Sequence, residues 1–183
     1  MDGASDTMDR QSVEMNHELF NIRAAHEGDF PAIHVISDDV ALPRIEALAH
    51  TYVAVNDEDV LVGFIRIKFA ELDSKAGRET ARENPSCKES SGSIPVASQA
   101  AHVYPVAVLR SWQGYDVGTA LVSHALERYG ELRLVACTPS QGFYERLGFS
   151  KAIWESIAPE IVQDCAQCPE TGTCAPQPFI KTR

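Results

Sequence analysis

The stretch Val106-Ala107-Val108-Leu109-Arg110-Ser111-Trp112-Gln113-Gly114-Tyr115-Asp116-Val117-Gly118-Thr119-Ala120-Leu121 carries the clearest chemical signal in the chain. An apolar strand runs into a polar turn, two glycines punctuate the passage, and a helix begins. Backbone N–H groups at a helix start lack intrahelical acceptors and point outward, and the aligned peptide dipoles add partial positive charge. A pyrophosphate fits such a place, and glycine lets the backbone approach phosphate oxygens closely. A strand-to-helix turn with no ligand has the same composition, so this segment alone leaves both readings open.

Sulfur chemistry is the next possibility. Cys137 ends the apolar run Leu132–Cys137 and could be taken for a nucleophile. Apolar burial raises a thiol's pKa and leaves it inert, so a packed core cysteine is the expectation. Cys165-x-x-Cys168 followed by Cys174 has the first spacing of a zinc site. A closed site needs a fourth ligand, and Cys87 is the one loose candidate. No metal is therefore expected, and the three cysteines read as a turn between two C-terminal strands. His26, His34, His50 and His124 fall at helix starts, ends or faces and read as surface or capping residues.

The elements that must position these residues follow from periodicity and punctuation. Glu18–Ala25 reads as a short strand. Phe30, Ile33, Ile36 and Val40 share one helical face, with Pro31 tolerated in the first turn. A second short helix is expected over Pro43–His50. Thr51–Val55 and Val60–Phe69 read as an antiparallel hairpin joined by Asn56-Asp57-Glu58-Asp59. Residues 71–99 mix charges with Ser, Gly and Pro and read as a mobile insertion with little core to offer. Order resumes in the strand His102–Leu109, where Pro105 withholds a ladder donor. A helix follows over Val117–Tyr129 and stops at Gly130. Then come a strand over Leu132–Cys137 and a helix opened by a Thr138-Pro139-Ser140-Gln141 capping box and closed at Gly148. Strands over Lys151–Ile157 and Phe179–Thr182 complete the order. Strands and helices mixed in this way predict one α/β domain with a mixed sheet. The organisation expected is a flexible tail over 1–17, a domain over 18–183, and a Cys-containing segment over 158–183.

Composition narrows the function. The 183 residues fit one domain, and 44% hydrophobic with 23% charged residues is ordinary for a globular chain. A formal net charge of −10 opposes non-specific binding to nucleic acid, and it suits a cationic partner such as a small-molecule amine as well as it suits solubility alone. No apolar run approaches the ~20 residues that span a bilayer, so no membrane partner is expected. The polar start Met1–His17 lacks the features of a signal peptide, and five scattered cysteines do not resemble a secreted disulfide framework, which points to the cytoplasm.

The segment around Gln113–Gly118 resembles the cofactor signature of the GNAT superfamily, Gln/Arg-x-x-Gly-x-Gly/Ala after a strand ending in Ala-Val. Gln113 and Gly118 match its ends, and Asp116 stands where the middle Gly belongs. Asp tolerates unusual backbone angles better than most residues, but its carboxylate would repel a pyrophosphate if turned inward. Gly142-Phe143-Tyr144-Glu145-Arg146-Leu147-Gly148-Phe149 resembles the family's late Phe-Tyr-x-x-x-Gly-Phe helix, and the Ile-Arg-x-Ala start at Ile22 agrees. The resemblance covers residues 18–157. It implies an acetyl-CoA-dependent N-acetyltransferase fold whose mixed central sheet, flanked by helices, splays two parallel strands around Val106 and Val135. Val106, Ala107 and Val108 would meet the pantetheine arm and acetyl carbonyl. Gln113, Gly114, Tyr115, Asp116, Val117, Gly118 and Thr119 would hold the pyrophosphate.

Direct transfer needs an uncharged amine, a polarised thioester and a proton for the departing thiolate. Tyr144 resembles the family's catalytic Tyr and has the phenol to donate. Ala101-His102-Val103-Tyr104 looks like the His-x-His strand of arylalkylamine N-acetyltransferases, with Tyr104 replacing the second His. His102, whose unperturbed pKa lies near ~6.5, is the base this implies. A polyamine, an amino-sugar or a protein N-terminus are further acceptors. A domain that binds CoA or a partner without catalysis is the alternative of another class.

Overall fold

The computed structural model describes residues 19–72, 99–168 and 173–183. The N-terminal tail 1–17 and Cys87 lie outside these residues. So does the insertion apart from its ends, because Glu71 closes one strand and Gln99 opens the next.

The elements in chain order are β1 (Phe20–Ala24), α1 (Phe30–Asp39), β2 (Thr51–Asn56), β3 (Leu61–Glu71), β4 (Gln99–Val108) and α2 (Val117–Tyr129). They continue with β5 (Glu131–Ala136), α3 (Gln141–Arg146), β6 (Ser150–Lys151), α4 (Pro159–Ala166) and β7 (Gln177–Thr182). The strands form a mixed seven-stranded sheet in the order β1-β2-β3-β4-β5-β7-β6. β1 and β3 run antiparallel to β2, β4 and β5 pair in parallel at His102↔Arg133, and β7 is antiparallel to both β5 and β6. The fold is α/β, with helices flanking the sheet. Two compact units divide the chain. One holds the residues up to Lys68 with Val103–Gly130 and Arg183, and the other holds Phe69–His102 with Glu131–Thr182.

In the first unit the periodicity of α1 does what its spacing predicts. Ile33 and Ile36 pack with Val53, Val55, Phe64 and Ala107. The entry to α1 is fixed by Arg23 on β1, whose guanidinium donates to both carboxylate oxygens of Asp29 at 2.7 and 2.9 Å. The Asp29 carboxylate also accepts from the His26 amide at 2.9 Å. The helix expected over Pro43–His50 does not form. Arg44 is drawn onto Asp38 at the end of α1, and His34 Nε2 bonds the Ile45 carbonyl at 3.1 Å. The Ile45 side chain is buried in the same core. Side chains of α1 thus take polar groups of this segment, and tertiary packing overrides its helical pattern. The hairpin turn is closed by Asn56, whose Oδ1 accepts from the amides of Glu58 and Val60.

In the second unit Leu132, Leu134, Ala136, Phe149, Ile161 and Phe179 are buried. Three expectations are corrected here. The strand over Lys151–Ile157 is confined to Ser150–Lys151, because the chain bends into a 3₁₀ turn at Trp154–Ser156 held by Ser156 Oγ on the Ile153 carbonyl. Thr138 and Gln141 do not form a capping box. Thr138 Oγ1 accepts from the Ala175 amide at 2.9 Å and Gln141 Nε2 donates to the Ala175 carbonyl at 2.7 Å, so both residues fasten the approach to β7. The cysteine-rich segment is partly helical. Pro159 opens α4, Cys165 lies within it and Cys168 follows its end.

Candidate functional site

The loop from β4 to α2 is shaped by its backbone. A 3₁₀ turn over Arg110–Trp112 leads to extended Gln113, then to Gly114 at φ +92° and Asp116 at φ +58°, and α2 starts at Val117. The left-handed angle at Asp116 explains how Asp replaces the Gly of the signature, since Asp is among the few residues that visit this region readily. The first α-helical bond runs from the Ala120 amide to the Asp116 carbonyl at 2.9 Å. The amides of Val117, Gly118 and Thr119 therefore have no acceptor within the helix. Asp116 makes no side-chain cap bond to the helix it opens. Gln113, Gly114, Tyr115 and Asp116 are exposed, Gly118 and Thr119 are half-buried, and Val117 is buried.

Three contacts set this loop, and two involve residues that no local motif marks. Gln113 Nε2 donates to the Val108 carbonyl at 3.2 Å, bracing the turn against the end of β4. Asp39 Oδ2, at the end of α1, accepts from the Arg110 amide at 2.8 Å. Gly63 on β3 is the third. A Cβ there would meet the Ala107 carbonyl at 3.0 Å, Val117 Cγ1 at 3.0 Å and Leu121 Cδ1 at 3.3 Å, so only glycine lets β4 and the first turns of α2 lie this close to β3. An isolated Gly inside an apolar strand was the signal available for it. On β4 itself Ala107 is buried, and Val106 and Val108 are half-buried.

The proton-handling candidates belong to the second unit. His102 is 0% exposed. Its Nε2 accepts from the Ala158 amide at 3.3 Å and its Nδ1 lies 3.0 Å from the Ala100 carbonyl. An amide can only donate, so Nε2 supplies the lone pair and Nδ1 carries the proton. The single lone pair of the neutral ring is thereby committed to the backbone. The base expected on β4 thus has both ring nitrogens facing backbone groups.

Tyr144 on α3 is 7% exposed, and its ring meets Phe143, Phe149 and Phe179 with centroids 5.0, 5.5 and 6.5 Å away. Burial pushes its phenol well above the ordinary range, and nearby Cys137 adds to the effect. The phenol stays protonated and able to donate. Cys137 corrects the expectation of a packed core cysteine, because it is exposed. It lies one residue beyond β5, with Sγ 3.3 Å from Ser140 Oγ, and Ser140 Oγ donates to the Cys137 carbonyl at 3.0 Å. Among the described residues no group of three or more His, Cys, Asp or Glu is arranged to hold a metal ion, and no helix is long and apolar enough to cross a membrane.

Comparison with known proteins places this architecture. An uncharacterized N-acetyltransferase of Chlorobaculum tepidum is 28% identical over 85 residues, a match covering 45% of this chain and 55% of that protein. The chain thus spans about half the length of this curated relative. Among solved structures, N-acetylglutamate synthase from Neisseria gonorrhoeae complexed with coenzyme A and L-arginine superposes with a TM-score of 0.62 at 15% identity, covering 90% of this chain and 33% of the synthase. Arabidopsis thaliana Naa50, in complex with a bisubstrate analogue containing CoA, superposes with a TM-score of 0.56 at 14% identity, covering 90% of this chain and 99% of that one. These likenesses show a shared fold. The acetyltransferase (GNAT) family model matches residues 18–149, and the chain belongs to that family.

Proposed function

We propose that this chain is an acetyl-CoA-dependent N-acetyltransferase that moves the acetyl group directly to the nitrogen of a small amine. One observation carries the reading: the turn through Gly114 and Asp116 delivers the amides of Val117, Gly118 and Thr119 at the start of a 13-residue helix, directly after β4. Three successive donors at the positive end of a helix dipole suit a pyrophosphate. The synthase and Naa50 structures, whose descriptions name coenzyme A or an analogue of it, support the choice of ligand. Val106, Ala107 and Val108 would present backbone groups to the pantetheine arm, and Gln113 keeps the loop braced against Val108.

In this reading Tyr144 donates its phenolic hydrogen toward the departing thiolate. A thiol of ordinary acidity, near ~8.5, holds its proton less tightly than a buried phenol, so Tyr144 stabilises the leaving sulfur by a hydrogen bond. His102 is a positioning residue that holds β4 to the backbone at Ala158. The amine enters in its neutral form, and the N–H proton released as the amide forms passes to the departing sulfur, so CoA leaves as its thiol.

The acceptor is an arylalkylamine or polyamine-like amine, in keeping with the net charge of −10. Calorimetric titration with CoA, followed by acetyl transfer from acetyl-CoA to a panel of amines, amino-sugars, amino acids and N-terminal peptides, tests the proposal. Binding with turnover of a small amine is expected. Absence of heat at millimolar CoA would overturn it. Binding without transfer to any acceptor would favour a non-catalytic CoA-binding domain.

A further inference from the structure

Among the described residues four cysteines remain outside the transfer chemistry, and the sheet register points two of them toward one face. β5 and β7 pair antiparallel through Ala136↔Gln177. Beyond the last pair the two segments stay fastened by side chains, since Thr138 Oγ1 accepts from the Ala175 amide at 2.9 Å and Gln141 Nε2 donates to the Ala175 carbonyl at 2.7 Å. Extending the register one step sets Cys137 opposite Pro176. Side chains two apart on an extended chain share a face, so an extended approach to β7 would make Cys174 the diagonal neighbour of Cys137, and both thiols do act electrostatically on Cys165. Diagonal neighbours lie about 7–8 Å apart at Cα, and a disulfide needs about 4.4–6.8 Å, so a small shift closes the gap. Cys174 precedes β7 and Cys137 follows β5, so no ladder bond of either strand has to break.

We propose that Cys137 and Cys174 form a redox-active dithiol, a covalent modification site in which a hydroperoxide converts the pair to a disulfide. Cys137 is the exposed member and attacks the peroxide. Its sulfur gains oxygen as a sulfenic acid, and the peroxide leaves as water or an alcohol. The Cys174 thiol then attacks that sulfur, the S–O bond breaks, and water departs with the S–S bond formed. Two thiols and one hydroperoxide are consumed, two electrons pass to the oxidant, and a dithiol reductant reverses the change. Cys165 is the nearby bystander. Burial raises its thiol, with Cys174, Cys168 and Cys137 each adding to the rise, and only the thiolate is nucleophilic. The site requires nothing of acetyl transfer.

The test uses the full chain, treated with hydrogen peroxide, blocked with N-ethylmaleimide and digested without reduction. A cross-linked peptide joining Cys137 to Cys174, lighter by two hydrogens and released by dithiothreitol, is expected. Cys165→Ser should still form it. Cys174→Ser should lose it and leave Cys137 as a sulfenic acid that dimedone labels. A link between Cys165 and Cys174 or between Cys165 and Cys168, no link at all, or dimedone on a cysteine other than Cys137 would overturn the assignment. Wild-type mapping alone decides the pairing should either variant fail to fold.

Discussion

The loop over Leu109–Thr119 and the region that holds His102 and Tyr144 are built in opposite ways. The loop works through its main chain. Gly114 and Asp116 take positive φ, and the amides that follow belong to consecutive residues. The other region works through side chains whose partners come from far along the chain. His102 meets an amide 56 residues away, and Tyr144 is enclosed by Phe143, Phe149 and Phe179. Main-chain chemistry follows from local spacing, because the residues that shape it are the ones that carry it. Side-chain chemistry depends on which lone pair or proton remains after packing, and packing is not local.

Four substitutions sharpen or break that contrast. The largest effect is expected from Gly118→Asp, which sets a carboxylate at the second position of α2 where a phosphate would lie. CoA affinity should fall by about 100-fold or more, roughly 3 kcal/mol, by titration. Melting should be unchanged, since Asp suits a first helical turn. Binding that survives would remove the loop from the site. Tyr144→Phe comes next. It keeps the ring packing and deletes the hydroxyl, so turnover should drop ~10²–10³-fold, as for the loss of one stabilising donor, while CoA affinity holds. Unchanged turnover would make Tyr144 a packing residue only.

His102→Gln should act on stability, by about 1–3 kcal/mol in urea unfolding, because two buried backbone groups lose well-placed partners. The pH–rate profile should keep its shape and rise toward the amine's own pKa. Loss of an acidic limb in the variant would restore His102 as a base. The smallest effect is expected of Asp116→Gly. Relief of a left-handed non-Gly residue is worth roughly 1 kcal/mol, and CoA should bind equally or a few-fold tighter. Weaker binding would mean that the Asp116 carboxylate aids the ligand.

How much of this was legible follows the same division. The boundaries of α2, Val117–Tyr129, follow from apolar spacing and Gly130, and β7 and the β2–β3 hairpin were equally readable. The strand, turn and helix order of the loop was legible, and the left-handed angle at Asp116 agrees with the tolerance expected of Asp there. The helix expected over Pro43–His50 failed because Arg44 and the Ile45 carbonyl find partners on α1. α4 was missed because Pro159 offered a start signal beside a segment that read as strand. Asp39, Gly63 and the commitment of His102 depend on contacts between distant residues, for which one sequence carries no periodic trace.

The Arg23–Asp29 fork has a consequence for how the protein meets acid. Arg23's hydrogen bonds, above all, hold the Asp29 carboxyl below its ordinary range against the opposing effect of burial. The unfolded chain therefore takes up this proton more readily than the folded one. The stability the pair contributes is complete above the ordinary carboxylate pKa and drains away as pH falls through the lower folded value. The latch that orients α1 on β1 is thus proton-sensitive. A low-pH elution step would weaken the packing of Ile33 and Ile36, while Asp29→Asn would weaken the protein at neutral pH and blunt that acid response.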